Sequence, residues 1–117
     1  MAIQQEIGDK GEDLAGKYLQ KLGYTVLNKN YRAGRFEIDL ICNEGETLVF
    51  VEVKTRTNTN FGNPETFVDE AKAAKVIEGA ESYIFNTNWE GAVRFDIVSV
   101  LLIEGEVQIE HFKDAFY

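Results

Sequence analysis

Two short segments flanking a cluster of turn-forming residues constrain this chain more than anything else in it. Phe36 to Cys42 and Thr47 to Lys54 are rich in β-branched and aromatic side chains, and Asn43, Glu44, Gly45 and Glu46 lie between them. Such a pattern predicts two antiparallel strands joined by a tight turn. Because strand side chains alternate between faces, Phe36, Ile38, Leu40 and Cys42 are expected on one face, together with Thr47, Val49, Val51 and Val53. That face is almost wholly apolar. The opposite face carries Arg35, Glu37, Asp39 and Ile41 on one strand and Leu48, Phe50, Glu52, Lys54 and Arg56 on the other. An even loop centred on Glu44 and Gly45 would set Glu37 opposite Glu52, with Asp39 diagonal to it, whereas an odd loop would put Glu52 beside Ile38.

Three carboxylates on one strand-pair face repel one another and need a compensating cation. Lys54 supplies one charge, whereas a hard divalent ion such as magnesium supplies two and accepts carboxylate oxygens while keeping waters. Metal-assisted phosphodiester hydrolysis is one use of such a face, with Lys54 serving the attacking water and the phosphate oxygens. A solvated sheet face held by ion pairs is the other. Glu12 shares a helical stripe with Ala15, Leu19 and Leu22, so it is expected to look toward the sheet, although an acid in a first helical turn also suits the helix dipole.

Around this hairpin the chain reads as α-β-β-β-α-β-β. A helix is predicted from Asp9 to Leu22, with Gly23 past its end, followed by a strand from Tyr24 to Tyr31. After the polar run TNTNFGNP, Pro64 opens a second helix reaching Phe85, with a stripe of Phe67, Ala71, Ala74, Ile77, Ala80, Tyr83 and Ile84. Strands Val93–Ile103 and Val107–Phe112 then flank a turn at Glu104 and Gly105. The expectation is an α/β domain spanning residues 1–117, with helices packed on a mixed sheet.

Charge narrows the partners. The net charge of -8 is concentrated in residues 65–117, which carry eleven acids and four bases, whereas residues 1–64 are nearly balanced. Whole-surface binding of nucleic acid is thereby disfavoured, but Leu14–Phe36 and Val53–Pro64 contain bases and no acid. Lys29, Tyr31, Arg32, Arg35 and Arg56 are candidates for nucleic-acid contact, Tyr31 by stacking on a base, and each also suits ordinary surface. Lys72 is a candidate either for the site or for pairing with a nearby acid. Arg94 and Asp96 read as a supporting ion pair, His111 as structural and Cys42 as core. No apolar run approaches the roughly 20 residues of a membrane span, the start lacks a basic region followed by an apolar one, and the single cysteine suits a reducing compartment, so a cytoplasmic protein without a membrane partner is expected.

In order along the chain, GDKGEDLAGKYLQKLGY, NYRAGRFEIDLI, LVFVEVKTRTNTNFGNPETF, AVRFDIVSV and IEHFKDAF resemble the YraN-like family of uncharacterised bacterial proteins. That family is similar in pattern to the PD-(D/E)XK nuclease superfamily, particularly its Holliday junction resolvase-like members. The resemblance implies a restriction-endonuclease-like αβββαβ core, with Glu12, Asp39, Glu52 and Lys54 in the catalytic positions, Glu37 in support, and Mg2+ or Mn2+ held by Glu12, Asp39 and Glu52. Phe36 departs from the pattern, standing where the family usually has glycine before E-I-D. The function expected from it is a metal-dependent endonuclease acting on structured or branched DNA. A non-catalytic nucleic-acid-binding module of the same fold is the alternative, and a homodimer that aligns the basic segments would offset the acidic charge.

Overall fold

The structure, a computed structural model, describes residues 2–57 and 70–116, with side chains from residue 6 onward. Its elements are α1 (Ala2–Lys21), β1 (Thr25–Ala33), β2 (Phe36–Glu44), β3 (Thr47–Arg56), α2 (Glu70–Thr87), β4 (Ala92–Ile103) and β5 (Glu106–Phe112). The strands form a single sheet in sequence order, antiparallel except for the parallel pair β3–β4, whose connection contains α2. This mixed α/β arrangement carries the restriction-endonuclease-like αβββαβ core, extended by β5.

Local chemistry sets the boundaries. Helix α1 ends in a Schellman motif: Tyr24 N donates to Leu19 O at 3.0 Å, Gly23 N donates to Gln20 O at 3.0 Å, and Gly23 takes φ 98°. Its start differs from expectation. The helix runs from Ala2 rather than Asp9, because Gly8 and the acids after it are accommodated inside the helix. The predicted opening of the second helix, from Pro64 to Asp69, lies outside the described residues. The β4–β5 turn has both Glu104 (φ 47°) and Gly105 (φ 81°) in the left-handed region, as a two-residue type I′ connection requires.

The two helices cover opposite faces of the sheet. Against α1, Ala15 and Leu19 pack on Leu40, Cys42, Val49, Val51, Val53, Val98 and Val100. Against α2, Val76, Ala80 and Tyr83 pack on Ile38, Ile41, Leu48, Phe50 and Phe95. Strict alternation therefore holds along β3 and fails along β2. Ile38 belongs to the α2 side while Leu40, two residues on, belongs to the α1 side, which corrects the expectation that Phe36, Ile38, Leu40 and Cys42 share one face. Phe36 follows Ile38: a Cβ on Gly79 of α2 would stand 3.2 Å from the Phe36 Cβ and 3.3 Å from Ile38 Cδ1. The missing side chain at Gly79 thus lets α2 lie close against this end of β2.

The register also corrects the expectation. Glu44 pairs with Thr47, so the turn is Gly45–Glu46, with Gly45 at φ 60°. Continuing that register past its last pair, Leu40 with Val51, brings Asp39 rather than Glu37 opposite Glu52.

Candidate active site

The candidate site lies where β2 and β3 stop pairing. Strand β2 continues to pair with β1 as far as Phe36, and β3 continues beside β4 as far as Arg56, but between β2 and β3 the ladder ends at Leu40 and Val51. Val53 N would lose its partner there. Asp39 Oδ2 takes the place of a strand carbonyl and accepts from Val53 N at 2.8 Å. On the other side of β2, Asn30 adopts φ 52°, a conformation that asparagine tolerates better than most residues, between the pairs Lys29–Leu40 and Tyr31–Ile38. This departure from extended backbone sits beside the change of face in β2.

Two carboxyl side chains from other elements, Glu52 of β3 and Glu12 of α1, each lie within electrostatic reach of Asp39. Glu52 lies on the α2 side of β3, is 4% exposed, and hydrogen-bonds with Asp39. Burial pushes its carboxyl up to about 8, with the hydrogen bond and charge of Asp39 acting in the same direction and Lys72 and Lys54 opposing them. Lys72 Nζ reaches Glu52 Oε2 from α2 at 3.3 Å, yet that oxygen is buried without a hydrogen bond. Glu12 comes from α1. Burial and the nearby Asp39 charge raise its carboxyl to about 7, against a hydrogen bond from Asn30. Its approach depends on Gly11, which is buried against β3: a side chain there would collide with Thr55, whose Cβ would lie 2.8 Å from the new Cβ.

The donors are hard oxygens of the kind Mg2+ or Mn2+ accepts, and Glu52 Oε2, 3.3 Å from the Lys72 ammonium, is buried without a hydrogen bond. Among the described residues, however, no three His, Cys, Asp or Glu side chains are gathered closely enough to hold a metal together. An ion here would have at most two of these carboxylates, such as Asp39 and Glu52, as direct ligands and would need waters for the rest of its shell, which magnesium accepts.

The remaining candidates are placed as follows. Glu37 lies across from Arg32, whose Nη2 is 3.6 Å from its carboxylate. Lys54 is half-buried on β3 and close enough to Glu52 to favour its charged form. Arg32 and Arg35 are exposed at the β1–β2 hairpin tip, the end of the sheet at which β3 runs out, with Arg56 half-buried on β3 there. Lys29 pairs with Asp13 at 3.6 Å. Tyr31 sits among the core residues under α2, edge-on to Tyr83 with centroids 5.2 Å apart.

Sequence reasoning missed Asn30 and Gly11. Both left a signal, an asparagine within a strand and a glycine within a helix, each locally unfavourable unless geometry requires it.

A second buried polar centre lies further along the sheet. Asp96 is fully buried on β4 and accepts from Arg94 Nε at 2.8 Å, Arg94 Nη2 at 2.8 Å and Asp114 N at 3.0 Å, with His111 Nε2 at 2.7 Å. Arg94 also donates to Glu44 at 2.8 Å and to the Tyr24 hydroxyl at 2.7 Å. The expected Arg94–Asp96 pair is thus present, within a larger network that includes His111, and Cys42 is buried in the α1-side core.

The fold and this opening define an α/β protein of restriction-endonuclease-like architecture. A profile of the uncharacterised protein family UPF0102, the YraN-like family, matches residues 11–100, and the chain belongs to that family. A UPF0102 protein of Flavobacterium psychrophilum is 41% identical over 117 residues, covering 100% of this chain and 98% of its own. One from Bacteroides thetaiotaomicron is likewise 41% identical over 117 residues, covering 100% and 97%, and one from Anaeromyxobacter dehalogenans is 41% identical over 114 residues, covering 97% and 85%. No helix among the described residues is long and apolar enough to cross a membrane.

Proposed function

We propose that this protein is a Mg2+- or Mn2+-dependent endonuclease that hydrolyses phosphodiester bonds in structured or branched DNA. The observation that carries the reading is the buried Glu52, set against Asp39 where the β2–β3 ladder opens, with one carboxylate oxygen left without a hydrogen bond. Asp39 and Glu52 would hold the ion, and Glu12 would join through water. When bound, the ion would polarise a phosphate oxygen and lower the pKa of a water. Lys54 would orient that water and stabilise charge developing on the phosphate, and Glu37 would help hold the opening through Arg32. Arg32, Arg35 and Arg56, at the same end of the sheet, suit phosphate contacts, with Lys29 and Tyr31 nearby on β1. A cytoplasmic location and pairing of two copies are part of the same reading, since aligned basic segments would offset the charge of -8.

The test is cleavage of duplex, single-stranded and branched substrates with either metal, using Lys54→Ala beside the parent. Cleavage by the parent, with the single-turnover rate at saturating protein lost in the variant, is expected. Loss of affinity alone, with the saturated rate intact, would withdraw the catalytic role of Lys54. A non-catalytic nucleic-acid-binding module is the second reading, favoured by one observation: Lys72 already offsets the charge of Glu52 at 3.3 Å. Binding without cleavage under every condition selects it.

A further inference from the structure

We propose that the groove between α1 and β5 binds a short acidic peptide segment of a partner protein, seated by an apolar side chain of that segment. The groove encloses about 240 Å³ and is lined by Leu14, Tyr18 and Ile109 with Lys17 and Lys21. Its floor is aliphatic and aromatic. Both lysines are exposed at the rim of the groove, and neither is drawn away into an ion pair with another described residue. Leu14, Lys17, Tyr18 and Lys21 follow i, i+3, i+4, i+7 spacing, so the charges run along one line of α1 beside the apolar strip. A single apolar side chain inserted between them would have its flanking carboxylates within reach of both cations.

Charge complementarity selects this occupant over nucleic acid. A phosphate backbone gains nothing from an apolar floor, and the Tyr18 ring is already packed edge-on against His111, with centroids 5.9 Å apart. The groove is also separate from the carboxylate opening. Leu14 lies two residues, about 200° around the helix axis, from Glu12. Glu12 bonds to Asn30 on β1, and Ile109 belongs to β5, the opposite edge strand of the sheet. Peptide and DNA could therefore be held together by one copy of the chain.

Fluorescence anisotropy with a fluorescein-labelled hexapeptide of alternating Asp and Phe provides the test, read at two salt concentrations. Saturable binding is expected, at least tenfold weaker for the Lys17→Glu/Lys21→Glu double variant and at least tenfold weaker for a peptide with Ala in place of Phe. Both lysines are exposed, and a matching thermal melt of the variant shows that it folds. Unchanged affinity in the double variant, or equal binding of the Ala peptide, overturns the proposal. So does sedimentation showing that the double substitution abolishes self-association while the parent ignores the peptide, which would assign the groove to a second copy. Loss of duplex-DNA affinity in the double variant, with no peptide binding by the parent, assigns it to nucleic acid and overturns the proposal equally.

Discussion

Glu52 and Asp96 stand one register step apart on neighbouring parallel strands, face opposite sides of the same sheet, and are both removed from water, yet their surroundings differ in kind. Burial alone would raise Asp96. Hydrogen bonds from Arg94, His111 and the Asp114 backbone outweigh it and hold the carboxyl at about 2. At Glu52 burial prevails, reinforced by Asp39, and the carboxyl rises to about 8 with one oxygen unbonded. One carboxylate is built into the fold as a permanent anion. The other is held in a state that water would not choose, with Lys72 and Lys54 opposing the shift only in part.

The largest effect should come from breaking the satisfied centre. Asp96→Ala strands Arg94 in a partly buried position with its main partner gone, and is expected to cost about 3–5 kcal/mol in a denaturant titration. The pH profile has a definite sign. Asp96 has a folded pKa below its unfolded value, so its contribution is present above about pH 4 and is lost as pH falls toward about 2. Glu52 behaves oppositely: its folded pKa is raised, so stability is greatest below about pH 4.5 and declines as pH rises through about 8. Glu52→Gln should remove most of that decline and stabilise the metal-free protein at pH 8 by on the order of 1–3 kcal/mol. Parent and variant with parallel stability-pH curves between pH 5 and 8 would show that Glu52 is not held out of its charged state.

The difference between these centres also explains how much the sequence could reveal. Apolar alternation and a nearby glycine made the β2–β3 hairpin legible, because strand period and turn chemistry are local. The register was not, since Gly45 takes the first turn position and shifts the pairing by two, replacing Glu37 by Asp39 opposite Glu52. Nor was the change of face between Ile38 and Leu40. It accompanies the positive φ of Asn30 on another strand and the space left by Gly79 on a helix forty residues away in sequence, on the order expected of long-range contacts. Arg94 and Asp96 were legible as neighbours on one strand, whereas Glu44, Tyr24, His111 and Asp114 joined them only through the fold.

A divalent ion should act on one centre and leave the other alone. At a concentration tenfold above its Kd, Mg2+ or Mn2+ is expected to stabilise the parent by about 1.4 kcal/mol, seen as a rise of a few degrees in melting temperature. Asp39→Asn should abolish the rise. It retains an oxygen able to accept from Val53 N while removing one of the two charges that would hold the ion, so metal-free folding should be preserved. A matched concentration of Na+ controls for screening. Equal metal-dependent stabilisation of parent and Asp39→Asn would remove Asp39 from the ligand set.

The smallest effect sharpens the comparison most, because Lys72 is what makes Glu52 partly resemble Asp96. Its ammonium approaches Glu52 Oε2 at 3.3 Å without satisfying it, and its side chain is 41% exposed, so the pair is weakened by solvent in a way the Arg94–Asp96 pair is not. Lys72→Met keeps the aliphatic stem and removes the charge. Without that opposing cation, the Glu52 titration should move further upward, and the stability lost should be on the order of 1 kcal/mol or less, appearing only above about pH 8, where the parent carboxyl is charged. The same substitution should leave the acid limb below pH 4 unchanged, since that limb belongs to Asp96 on the other face. Stability measured at pH 5, 7 and 9 in parent and Lys72→Met separates the outcomes. A uniform loss at all three would mean that Lys72 supports the fold through packing, and that the two carboxylates differ by less than their surroundings suggest.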